Sequence, residues 1–277
     1  MTGWQRFLRN RAAVVCAAVV LAIALLTIVG PWIAAGFGLD AVTQNARLGA
    51  TAPSVQHPLG TDVLGRDLLV RVLVGGRVAL RVALLGAGLA VLLGVAWGAV
   101  AGLAGGRVDE LMMRIVDVLY SLPQIVFVMV VMAIAASRSE VLLLALIAGV
   151  SWLTMARIVR VEVLALRASP HVLAARGLGA GAARLLGRHI LPNAAGTVVV
   201  YATLLVPSVM LQEAFLSFLG LGVQPPNASW GTLVHEGVAE LVVYPWILAG
   251  PAAVMALTIF ALNFVGDGLR DALDPRR

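Results

Sequence analysis

Lysine is absent: all 20 basic residues of this 277-residue chain are arginine. That removes the P-loop lysine that reaches the phosphates of a nucleotide, and with it a Walker-type nucleotide site in this polypeptide; it also removes Schiff-base chemistry. Cysteine is nearly absent. Cys16 stands alone, so it has no intrachain disulfide partner, and its position in an apolar run makes it an inert apolar filler. The four histidines, His57, His171, His189 and His235, are scattered over polar segments without metal-ligand spacing. None falls in an apolar run, where it would have to lie to activate Ser151, Ser208 or Ser217 as the nucleophile of an intramembrane hydrolase. No metal, no catalytic residue and no cofactor bound by this chain is therefore expected. Charge is scarce too, at 12% of residues against 61% hydrophobic, far from the balance of a soluble domain.

What the chain has instead is apolar sequence. Its mean hydropathy is +0.98, and six stretches are long enough to cross a hydrocarbon core of roughly 30 Å, which takes about 20 helical residues. They lie near 12–35, 79–104, 112–136, 140–160, 195–219 and 244–265, the third and fourth separated by a short Ser137-Arg138-Ser139 turn. The first follows Arg6, Arg9 and Arg11 like a signal peptide, but it is too long and has no cleavage site, so it is read as a retained anchor. Six spans put both termini on one side. The arginines mark that side as cytoplasmic, since it collects the N-terminus, Arg107, Arg114, the segment 162–193, Arg270, Arg276 and Arg277, 12 of the 20 basic residues. The exceptions are Arg47, Arg66, Arg71, Arg77 and Arg81, which face outward and require an amphipathic segment to hold them at the interface. Residues 57–84 supply one: Leu68, Val72, Ala79 and Val82 form a helical stripe expected to lie along the outer membrane face. The pI near 10.9 is accounted for by this topology, so nucleic acid is not an expected partner.

Residues 162–193 form a polar-edged insert between two apolar runs. Ser169 is a hydroxyl cap and Pro170 a first-turn residue, while Gly179 supplies the stop. Between them Val172, Ala175 and Leu178 make one apolar ridge, and Ala174, Ala175 and Gly177 keep the helix slim enough to enter a groove. The insert is either a docking surface for an aqueous partner or an amphipathic helix on lipid headgroups, with Arg167, Arg176, Arg184 and Arg188 meeting anionic lipid. Further on, residues 213–231 leave the membrane through a glycine turn and the Pro225-Pro226 pair, and 232–243 make a short amphipathic return.

Five blocks carry a resemblance: HPLGTDVLGRD, RIVDVLYSLPQIV, RHILPN, EAFLSFLGLGVQPPNASWG and NFVGDGLRDALDP. In this order they resemble the C-type permease subunit of bacterial dipeptide and oligopeptide ABC importers. The insert corresponds to that family's Glu-Ala-Ala loop, and Ala174, Ala175, Gly179, Leu191 and Pro192 fit its pattern; Leu173 stands where the family has Glu. The resemblance implies an all-α membrane protein with the type I ABC importer permease fold and six transmembrane helices. It implies ATPase coupling through Ser169, Pro170, Val172, Leu173, Ala174, Ala175, Arg176, Leu178, Gly179, Leu191 and Pro192. The implied partners are a homologous B-type permease, one or two ABC ATPases that carry the ATP and Mg, an extracytoplasmic substrate-binding protein and membrane lipid, all at the bacterial cytoplasmic membrane. The cargo is a di- or oligopeptide, with nickel, glutathione or another small solute as the alternative. A stand-alone secondary transporter would show paired internal repeats, and none is seen. The expected organisation is an anchor helix plus outer loop over 1–78, then a five-helix core over 79–277.

Ionisable and amide groups in the spans are the remaining candidates. Glu213, with Gln212, falls near the outer end of the fifth span; it either lines the mouth of the path, meeting a peptide ammonium, or is an interfacial acid bonded to Gln212, Arg81 or loop backbone. Asn263 either bonds between helices or lines the path. Arg114 and Asp117 are spaced for an ion pair on one helix face. Asp267, Arg270, Asp271 and Asp274 read as a solvated terminal cluster, and Pro123 and Pro207 as kinks.

Overall fold

A computed structural model describes residues 3–135, 139–224 and 227–273. Ser137 and Arg138, the Pro225-Pro226 pair, and Asp274, Arg276 and Arg277 lie outside the described residues. The described chain is all-helical: five helices are long and apolar enough to cross a membrane, six if one bent pair is counted as a span.

Helix α1 (Gly3–Arg9) leads into α2 (Arg11–Gly36), whose start is capped by Asn10, its side chain accepting from the Ala13 amide at 3.2 Å. A loop then runs to α3 (Leu68–Ala104), capped by Asp67, which accepts from the Val70 amide at 2.9 Å. The 57–84 segment is therefore not a separate helix on the membrane face. From Leu68 onward it is the first part of α3, and residue 78 falls inside that helix. Leu68, Val72, Ala79 and Val82 are all buried, because the first three pack in a cluster with Trp230 and Leu233 of a later helix and Val82 packs in another with Val128, Met132 and Leu143.

Helix α4 (Gly106–Ser121) and α5 (Gln124–Ile134) meet at 74°. Proline drives its predecessor out of the α region, and Leu122 indeed sits at φ −74°, ψ 138°, so Pro123 breaks the span where a kink was expected. Ser139 caps α6 (Glu140–Arg167), accepting from the Leu142 amide at 3.1 Å. Helices α7 (Pro170–Gly177) and α8 (Ala182–Arg184) follow, then a π-helical turn (Leu185–Ile190) that runs straight into α9 (Leu191–Phe218). The chain closes with α10 (Trp230–Ala239), held by a Ser229–Thr232 capping box, and α11 (Pro245–Leu273).

The central contact is between α3 and α6. Gly94, Gly98 and Gly102 recur every fourth residue along α3, and a Cβ on any of them would run into α6: Met155 at Gly94, the Ala156 carbonyl at Gly98, Val163 at Gly102. Small residues at this spacing let two backbones approach closely, the main source of packing energy between helices in lipid.

Four of the five arginines expected to face outward, Arg66, Arg71, Arg77 and Arg81, are held by ion pairs and carbonyls, not by an interfacial helix. Arg66 and Arg71 share Asp62, and Arg71 also grips Glu236 at 2.6 Å; Arg81 pairs with Glu140 at 2.6 Å. Arg77 donates to the carbonyls of Thr27 and Ile28. His57 bonds Asp67 at 2.7 Å. These contacts gather the 57–67 loop and the ends of α6, α10 and α11 at one end of the bundle; the 168–190 segment lies at the other.

Candidate functional site

Two features stand out, one at an end of the bundle and one partway along it. At the end, α6 hands over to α7 under a firm clamp: Arg167 donates from Nη1 to the Gly102 and Leu103 carbonyls, 3.1 and 3.2 Å away. Ser169 precedes Pro170 as expected, but its hydroxyl does not cap α7; it turns back and donates to the Leu166 carbonyl. The stop is a Schellman motif. Gly179 sits at φ +83° and donates to the Arg176 carbonyl, and Ala180 to the Ala175 carbonyl, both at 3.0 Å.

The expected ridge divides. Val172 is 1% exposed, packed with Val163, Leu185 and Ile190, and Ala175 is half-buried beside it. Leu178 is 91% exposed, because it is the C-cap, beyond the last helical residue, and no longer follows the three-residue row. Leu173 (51% exposed), Ala174 and Arg176 share the open side. Helix α7 is thus nailed to its own bundle by Val172 and offers two leucines outward. Leu191 is half-buried and Pro192 exposed, past the π turn. There the Leu191 amide donates five residues back, to Leu186, and Pro192 has no N–H to give.

The second feature is a polar cleft of about 350 Å³ between the α4–α5 break, α6 and α9. The break contributes Tyr120 and Gln124, α6 Ser151 and Thr154, and α9 Tyr201 and Gln212. At 1.5 Å per residue, Ser151 is about 17 Å along α6 from Glu140 and about 24 Å from Arg167, well inside the span. Beside the cleft, Arg157 lies 4.1 Å over the Tyr120 ring and donates to Asp117 at 2.7 Å. Asp117 thereby pairs across to α6 and not with Arg114 on its own helix: the crossing arginine adds a cation–π contact that an i,i+3 neighbour lacks. Nearby, Asp109 and Arg160 make a two-pronged pair, with Nη2 to Oδ2 at 2.7 Å.

Gln212 lines the cleft; its neighbour Glu213 does not. Glu213 is fully buried on a different face of α9, accepting from Ser217 Oγ at 2.6 Å, and Ser229 in turn donates to Ser217. It bonds neither Gln212 nor Arg81. Asn263 lies on an exposed face of α11 and donates to the Ile259 carbonyl of its own helix at 2.8 Å. Of the serines weighed as nucleophiles, Ser151 and Ser208 both line the cleft, with no histidine among the lining residues. Among the described residues no group of three His, Cys, Asp or Glu could hold a metal. The pairs Asp109–Arg160 and Asp117–Arg157 went unread in the sequence, since each joins residues at least 40 positions apart and no spacing rule links them.

Residues 94–277 match the family of binding-protein-dependent transport system inner membrane components, and residues 2–50 match the N-terminal TM domain of oligopeptide transport permease C. The oligopeptide transport system permease protein OppC of Bacillus subtilis is 44% identical over 98% of this chain and 88% of its own length. The Escherichia coli protein of the same name is 44% identical over 99% of this chain and 91% of its own. The dipeptide transport system permease protein DppC of Bacillus subtilis is 39% identical over 99% and 85%. The chain belongs to the binding-protein-dependent transport system inner membrane components, as a C-type permease subunit that carries no ATPase of its own.

Proposed function

We propose that this subunit forms half of the translocation pathway of an ATP-driven importer of di- and oligopeptides, the other half coming from a homologous B-type permease. Two cytoplasmic ATPase domains, on one chain or two, bind the ATP and Mg and press on the segment Ser169–Pro192; an extracytoplasmic binding protein delivers the cargo. Both termini and α7 are cytoplasmic, in the orientation the arginine distribution favours. The 57–67 loop and α10 then face outward, toward the binding protein.

The observation that carries this reading is the double character of α7: Val172 and Arg167 fix it to the bundle, while Leu173 and Leu178 stand open to a partner. A helix resting on anionic lipid would turn its basic side down and bury its leucines in acyl chains. A coupling element needs apolar knobs for a protein groove and a rigid link to the spans. Gln212, with Ser151 and Thr154, lines the path in this assignment. Co-purification in detergent tests it: a second permease and an ATPase travel with the chain, and the reconstituted complex takes up peptide only with ATP and loaded binding protein. Transport by this chain alone would overturn the assignment.

A further inference from the structure

The polar cleft combines two features that point to the same ligand chemistry. The first is the N-terminus of α5, an eleven-residue helix that starts inside the span at Gln124, with no side-chain cap. The first amides of any helix lack intrahelical acceptors and carry the positive end of its dipole. The first residue of α5, Gln124, lines the cleft together with Tyr120. The second is Ser151: it is 5% exposed, its Oγ has no hydrogen-bond partner, and it lines the same cleft from α6. A buried hydroxyl without a partner costs about 1–3 kcal/mol, so its persistence in a cleft that the first residue of a helix also lines calls for a ligand that both groups serve.

That ligand is an anion. No carboxylate lines the cleft to compete for the donors, and the nearest basic group, Arg157, is already taken by Asp117 and the Tyr120 ring. The other polar lining residues, Thr154, Tyr201, Ser208 and Gln212, are uncharged and able to donate, and Met155, Ile158, Leu204 and Leu205 complete the wall. Helix starts within broken spans serve carboxylates in this way in other transporters. We propose that the α5 N-terminus and Ser151 Oγ form a subsite for the C-terminal carboxylate of the peptide in transit. This rests on the pathway reading above and adds to it: the passage recognises the one anionic group that peptides of every sequence share, and leaves their side chains to open space.

The test uses the complete importer, with both permeases, the ATPases and the binding protein, reconstituted in vesicles. ATP-driven uptake of trialanine is compared with that of trialanine amide, each supplied as preloaded binding protein so that differences in its affinity drop out. Ser151→Ala is expected to slow the free acid about tenfold and the amide by no more than about twofold, the loss of one hydrogen bond to a charged group. Gln124→Glu, which sets a carboxylate in the first turn of α5, is expected to act in the same direction. ATP hydrolysis stimulated by loaded binding protein reports intact assembly in both variants, and if one fails to assemble the other decides. Equal slowing of both cargoes, or of neither, overturns the carboxylate subsite while leaving the importer assignment standing. Absence of ATP-driven peptide uptake by the unaltered complex overturns that assignment itself.

Discussion

Arg77 of α3 donates to the carbonyl that Pro31 of α2 leaves unserved. Proline has no N–H, so the carbonyl four residues earlier, that of Thr27, loses its helical donor; Arg77 Nε reaches it at 3.3 Å and Nη2 reaches the next carbonyl, Ile28, at 2.8 Å. The same contact gives an arginine within a span two carbonyl partners, and it ties α2 to α3 where Gly30 accommodates Leu73 and Gly76 accommodates Thr27.

Replacing Arg77 with Ala should destabilise the α2–α3 contact by about 1–3 kcal/mol, the cost of stranding buried polar groups. Pro31→Ala restores a donor to Thr27 and should reduce that loss. A double-mutant cycle read by thermal unfolding in detergent measures the coupling; additive effects would show that the two residues act independently.

Gly98→Leu should abolish accumulation of folded protein, because its side chain would enter the Ala156 carbonyl and Val159 of α6. Gly88 lies on the same helix, and a Cβ there would meet nothing within 4 Å; it should accept alanine with a change of no more than about 0.5 kcal/mol. Expression level and monodispersity after solubilisation distinguish the two, and equal tolerance at both sites would reject the close α3–α6 packing.

Leu178→Asp should leave the protein inserted and assembled with its permease partner but weaken its hold on the ATPase and uncouple hydrolysis from uptake. Ala175→Trp should act differently, by levering the half-buried face of α7 off Val163 and Leu185. Gly179→Asp strains the φ +83° stop by about 1–2 kcal/mol and should loosen the end of the same helix. Substrate-stimulated uptake at the normal rate in Leu178→Asp would count against α7 as the coupling element.

Asp109→Ala should cost about 1–3 kcal/mol by leaving the part-buried Arg160 without its partner, whereas the exchange Asp109→Arg with Arg160→Asp should recover part of it. Thermal stability of the four proteins reports the result. An unchanged midpoint in Asp109→Ala would mean that the pair contributes nothing to the α4–α6 contact.

Asp40 offers a pH signature outside the spans. The Thr43 hydroxyl, then the Thr43 and Val42 amides, hold its carboxylate below the ordinary value of 3.8. A depressed folded-state pKa means the turn is favoured above the unfolded value and loses that support as pH falls through the lower, folded one. The Val42 and Thr43 amide resonances should therefore titrate below 3.8, and Thr43→Ala should bring the midpoint back up toward it.

The span inventory was legible because hydrophobic transfer is local: whether about 20 residues prefer lipid is decided by those residues alone. The helix stop at Gly179 was legible for the same reason, since only glycine adopts its conformation cheaply. The start of α3 was misjudged because Gly75, Gly76 and several arginines made residues 68–78 look interfacial, when those glycines admit Trp230 and the arginines find acids and carbonyls on other helices. The Val172–Leu178 ridge failed at its end because a helical row stops where the helix does.

The sequence by itself determined the membrane class, the apolar stretches that become the candidate spans, the absence of a lysine-dependent nucleotide site and the place of the insert. All of these follow from side-chain chemistry added up along a short stretch of chain. Only the tertiary structure decided that Arg71 meets Glu236, that Arg160 meets Asp109, that Glu213 turns away from the cleft while Gln212 faces it, and that Ser151 lines the same cleft as the first residue of α5. Those depend on how each helix is rotated about its axis and how closely glycines let it approach its neighbour, and rotation is fixed by packing between helices distant in sequence.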